Sequence, residues 1–154
     1  MSHENVMDVV MPEGSDYLAM GVAFLAYFIL SFLWWGPLFG KKWGTLMGMP
    51  MDPKNRPSMA MPLALQALGT LLLAYVLWAV AMAFAATHEG EELVVGELSV
   101  QGAFIGAFFT WLGFYVPVQL GRVAWEKAPW ALFWINAGGH LVGLVAMMLV
   151  FTFI

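Results

Sequence analysis

The chain has 154 residues, of which 62% are hydrophobic and only 10% charged, with a formal net charge of −4. A water-soluble domain typically carries about 25% Asp, Glu, Lys and Arg, so an ordinary soluble fold is excluded and the bilayer is the expected solvent. With Cys 0, disulfides, thiolate metal sites, iron–sulfur clusters and cysteine nucleophiles are excluded as well.

Residues 1–16 form an acidic segment without Lys or Arg. A secretory signal needs a positive stretch before its apolar run, so the first apolar run is expected to be retained as a helix. Four stretches without Asp, Glu, Lys or Arg follow, at 17–39, 60–86, 98–120 and 130–154, each at least 23 residues long. About 20 helical residues cross a hydrocarbon core of roughly 30 Å, so each run is long enough to span. Backbone polar groups in lipid must bond within their own segment, which favours helices, and the runs are too continuous for barrel strands. The expected fold is therefore an all-α integral membrane bundle of four transmembrane helices over 17–154, preceded by the acidic tail 1–16.

Charge sets the expected orientation. All 6 Lys and Arg fall in two connections, Lys41, Lys42, Lys54 and Arg56 in 40–59, then Arg122 and Lys127 in 121–129. The 87–97 connection carries Glu89, Glu91, Glu92 and Glu97 instead. Basic loops stay in the cytoplasm, so both termini are expected outside a cell (inner) membrane. Trp34, Trp35, Trp43, Trp125 and Trp130 flank the same inner boundary, where indole rings suit the headgroup level. Pro37 and Pro117 sit near the inner ends of helices one and three and are expected to end or kink them.

The two halves resemble repeated helical hairpins. Gly21-Val22-Ala23-Phe24 and then Pro37, Gly40, Lys41 and Trp43 find counterparts in Gly102-Ala103-Phe104, Pro117, Gly121, Arg122 and Trp125. Gln66-Ala67-Leu68-Gly69-Thr70 parallels Asn136-Ala137-Gly138-Gly139-His140, pairing Gln66 with Asn136 and Thr70 with His140. A parallel duplication of this kind accounts for the pattern, and so does chance in an apolar alphabet.

Those four residues are the candidate site. Residues four apart share a helix face, and polar groups at this depth either line a functional cavity or hydrogen-bond neighbouring helices. His140 alone among the groups within the runs titrates near neutral pH, which makes it a candidate ligand for a metal, a haem or a chlorin. The methionines at 47, 49, 51, 59 and 61 fit either soft Cu(I) coordination or ordinary packing. Gly102, Gly106 and Gly113 on helix three, with Gly139 and Gly143 on helix four, form small-residue strips suited to helix packing or a dimer seam. Standard catalytic sets are missing; Asp52, Glu126 and Arg122 are the candidates for acid–base chemistry on a lipid.

The stretch Leu33-Trp34-Trp35-Gly36-Pro37-Leu38-Phe39-Gly40-Lys41-Lys42-Trp43 resembles a known family. It is similar to the small bacterial membrane proteins of domain-of-unknown-function family 1761 (DUF1761), whose first helix ends in a W-Y/W-x-P-x-x-F/Y-G-K-x-W pattern. Spacing is one residue shorter here, and Trp35 stands where Tyr is usual. Trp111-Leu112-Gly113-Phe114 and Asn136-Ala137-Gly138-Gly139-His140 add to the resemblance. It implies four helices from about Tyr17 onward and no established activity.

The expected role is a non-catalytic multi-pass protein, packing as an accessory or structural subunit in a larger membrane complex or a homo-oligomer. Its partners would be the lipid bilayer and other membrane subunits or itself, with no nucleic acid. Two alternatives stay open: a small dimeric transporter or channel with a polar site at the repeat interface, and cofactor ligation through His140.

Overall fold

A computed structural model describes residues 11–50, 58–89 and 92–154. Four of its helices are long and apolar enough to cross a membrane, Gly14–Leu38, Ala60–Ala85, Val100–Trp125 and Trp130–Phe153. The all-α bundle expected from the uncharged runs is the observed architecture. The first span comprises α1 (Gly14–Leu33) and a π-helical turn, Trp34–Leu38. A short helix, α2 (Gly40–Leu46), follows it, and the second span is α3 (Ala60–Ala85). The third span is α4 (Val100–Thr110), a second π turn at Trp111–Tyr115, and α5 (Val116–Trp125). The fourth is α6 (Trp130–Phe153).

The acidic 87–97 connection holds a feature that no apolar pattern announced. β1 (Ala86–Glu89) and β2 (Glu92–Val95) pair antiparallel, in register from Ala86↔Val95 to Glu89↔Glu92. The ribbon joins α3 to α4 outside the apolar runs, and Ser99 then caps α4 by accepting from the Gly102 N–H at 3.0 Å.

Helix α6 is the centre of the bundle and packs against α1, α3, α4, α5 and α2. Its core face comprises residues such as Ala137, Leu144, Met147 and Met148, all 0% exposed. Around it pack Ala23 and Tyr27 of α1, Ala74, Leu77, Trp78 and Ala81 of α3, and Ala103 and Ala107 of α4. Alanines facing large residues let the helices approach closely, which is how apolar helices gain contact energy in lipid.

Packing is uneven along α3. Its buried positions are Thr70, Ala74, Leu77, Trp78, Ala81 and Ala85, a helical stripe that starts only at Thr70 and runs to the ribbon end. From Ala60 to Gly69 every residue but the half-buried Ala67 is exposed. The N-terminal part of the second span therefore stands away from its neighbours and leaves a wedge in the bundle.

Candidate functional site

The wedge holds a cavity of about 730 Å³ lined from all four spans. The first span contributes Phe28, Ser31 and Trp35, α3 contributes Leu63 and Gln66, α5 contributes Gln119 and Arg122, and α6 contributes Asn136 and His140. At 1.5 Å per residue from Trp130, Asn136 lies roughly 9 Å and His140 roughly 15 Å into the fourth span.

Local features of the sequence build this wall. The π turn containing Pro37 sets two consecutive tryptophans against α6. Trp34 donates its indole N–H to the Ile135 carbonyl at 2.9 Å, and Trp35 donates to Asn136 Oδ1 at 3.2 Å. The helix breaks at Phe39, φ −119 and ψ 0, and the next one starts in a corner at Gly40, where a Cβ would stand 2.7 Å from the Trp35 carbonyl oxygen. That corner turns α2 toward the bundle, so that Trp43 also donates to Asn136 Oδ1 at 3.2 Å. Gly48, at φ 67, ends α2: its N–H reaches Thr45 O at 3.1 Å, and the Met49 N–H reaches Gly44 O at 2.9 Å.

Asn136 is thus the hub of a polar cluster. One carboxamide oxygen accepts two indole N–H groups, and Nδ2 donates to Gln119 Oε1 at 3.5 Å, a long contact. This arrangement revises the expectation for three tryptophans. Trp34, Trp35 and Trp43 turn inward as donors to α6, whereas Trp125 and Trp130, at 88% and 57% exposure, keep the outward position suited to a headgroup anchor.

His140 lies one turn beyond Asn136. Its Nδ1 is 2.6 Å from the Tyr27 hydroxyl, and its ring lies tilted against Tyr115 with centroids 4.3 Å apart. Trp35 closes a further side at 5.3 Å. Among the described residues no group of three or more His, Asp or Glu side chains converges on a metal-sized point, so His140 offers a single nitrogen.

Of the four residues expected to form a site, three line the one cavity: Gln66, Asn136 and His140. Thr70, 1% exposed, does not face it. It donates to the Gln66 carbonyl at 2.8 Å and accepts from Gln66 Nε2 at 3.2 Å, which steadies Gln66 instead. Arg122 lines the cavity while its Nε pairs with Glu126 Oε2 at 3.0 Å. Asp52, Lys54, Arg56, Met51 and tail residues 1–10 lie outside the described residues. Met47 and Met59 border the cavity, whereas Met61 is 69% exposed.

The glycine strips serve a different end from backbone-to-backbone packing. A Cβ on Gly139 would come within 2.7 Å of both Trp34 and Trp35, and one on Gly143 would overlap the Tyr27 ring. Both glycines are sockets for aromatic rings of the first span. A Cβ on Gly106 would stand 2.5 Å from Met148 Cε, and one on Gly102 would meet Leu98 and Ser99 at its own helix start, with Phe84 O at 3.9 Å. Gly113 is the exception. A Cβ there would meet nothing within 4 Å, because the π turn points that position away from the bundle.

Both π turns open on a tryptophan that donates to α6: Trp34 to Ile135 O, and Trp111 to Ala137 O at 2.7 Å. This correspondence pairs Trp34 with Trp111. It lies a few residues out of step with the Pro37–Pro117 pairing drawn from the sequence.

Tyr27, Ser31, Tyr115 and Gln119 are the site residues that sequence reasoning passed over. Gln119 carried a usable signal, since it lies three residues before Arg122 and hence on the same helix face.

A family model described as Protein of unknown function (DUF1761) matches residues 18–152. The chain belongs to the DUF1761 family. Neither a curated protein nor a solved structure matches it. In this DUF1761 chain, the Trp34–Trp43 stretch that carried the resemblance is the one that turns the corner at Gly40 and delivers three indole donors to α6.

Proposed function

We propose that this DUF1761 protein is a non-catalytic multi-pass protein of the inner membrane that binds a small ligand within the bilayer, in the manner of a compact carrier. One observation carries the reading. Gln66 on α3, Gln119 on α5, and Asn136 and His140 on α6 converge on a single cavity, although they are distant in sequence. Polar side chains at such depth are costly and mark ligand or ion pathways. A purely packing role, as an accessory subunit, accounts for the hydrogen bonds of Asn136 but not for the open space beside them. Both termini outside the cell is the orientation that the basic 40–59 and 121–129 connections support.

The absence of cysteine makes the test simple. A charged, water-soluble maleimide should modify Gln66→Cys, which lines the cavity, and spare Leu68→Cys, which is 56% exposed on another face of α3. Equal silence at both positions would mean a dry bundle and would sink the ligand-binding reading.

A further inference from the structure

The groups that line the cavity say what kind of ligand fits. Ser31 Oγ is buried without a hydrogen-bond partner among the described residues, and it borders the cavity. Gln119, 9% exposed, uses its oxygen toward Asn136; its own amide makes no hydrogen bond among the described residues. The Tyr27 hydroxyl takes up His140 Nδ1 at 2.6 Å, which leaves Nε2 as the second ring nitrogen. The Ser31 hydroxyl and the Gln119 amide thus offer donors to a space without a described carboxylate on its wall. Buried donors left unmade are costly, so the matching ligand supplies acceptors.

Depth and shape narrow the class further. The polar wall lies roughly 9–15 Å inside the fourth span, where a phosphate or carboxylate head would need a cation to pair with. Its one cation, Arg122, is already held by Glu126. A neutral head is therefore required, and the rings of Trp35 and His140, inclined at 57° to each other, offer it aromatic walls on two sides. The wedge beside α3 provides room for a tail, since Phe32 and Leu63 on its two sides are 72% and 50% exposed.

We propose that the cavity takes the head of a membrane quinone, a neutral planar ring with opposed carbonyl acceptors, with its isoprenoid tail leaving between the first and second spans. This rests on the ligand-binding reading above. Its test uses the full chain carrying Gln66→Cys in phosphatidylcholine nanodiscs, with decylubiquinone as the probe, whose ring is fully substituted and does not itself alkylate thiols. Decylubiquinone should slow maleimide labelling in a saturable way, and decanol at equal concentration should not. Ser31→Ala and Gln119→Leu, made separately beside Gln66→Cys, should each weaken protection by roughly tenfold, the effect of losing about one hydrogen bond to the ligand. Labelling that decylubiquinone does not slow, protection that decanol reproduces, or protection unchanged in both variants would overturn the quinone assignment and leave the cavity standing. Failure of Gln66→Cys to label at all would overturn both.

Discussion

Gly143 and Gly106 are both tight, and they differ in what they face. A methyl group at Gly143 would meet the ring of Tyr27, which is 1% exposed and tied to His140. At Gly106 its closest contact would be the terminal carbon of Met148, the end of a flexible side chain, with the Phe84 ring further off at 3.3 Å. Gly143→Ala should therefore lower stability by about 1–3 kcal/mol through overpacking, and Gly106→Ala by clearly less. Thermal unfolding in detergent, followed by tryptophan fluorescence, would rank them; equal midpoints would contradict the socket reading. Asn136→Ala removes the acceptor for two indole N–H groups and should cost about 1–3 kcal/mol for each left unpaired. Asn136→Asp, which keeps an acceptor oxygen, separates the lost hydrogen bonds from lost volume only if it stays neutral at this depth, so Asn136→Gln is the better control. The Arg122–Glu126 pair, with side chains 31% and 60% exposed, adds little to stability.

Elements show which parts of the molecule could be read from composition and which could not. Length and lack of charge reveal a span almost unaided, because lipid demands both. The splaying of α3 could not be read. Its first ten residues carry one polar side chain, Gln66, and otherwise no sign of poor packing, since in lipid an unpacked face and a packed one have the same composition. The tryptophans were ambiguous for a related reason: an indole with an apolar body and one N–H suits a headgroup boundary and an interior carbonyl equally. Trp34, Trp35 and Trp43 took the second option because Gly139 and Gly40 make room for the ring and the turn. The polar pair Asn136 and His140 was legible from its spacing, whereas Tyr27 and Tyr115 were hidden among 24 or so apolar neighbours per span. Gly40→Ala should break the corner that carries Trp43, since the new methyl meets backbone and not a yielding side chain. The expected result is loss of the Trp43–Asn136 contact, read as a red shift of Trp43 emission in a variant whose other tryptophans are replaced by Phe. An unshifted spectrum would show that the corner tolerates the methyl.

At the scale of the whole molecule, orientation and the wedge belong together. The proposed orientation, with the basic connections inside, puts the wedge in the inner half of the bilayer. Labelling of intact cells with an impermeant maleimide should therefore modify Glu97→Cys and reach Lys42→Cys only after the cells are opened. The reverse order would invert the topology and place the cavity in the outer half. The central claim is that the inner half of α3 borders a water-accessible ligand cavity on one face only, and a cysteine scan from Met59 to Leu72 with a charged maleimide tests it most directly. The account predicts reaction at 59, 62, 63 and 66, the positions that line the cavity, with silence at the lipid-facing 61, 65, 68 and 72. Uniform silence, or reaction without helical period, would contradict it.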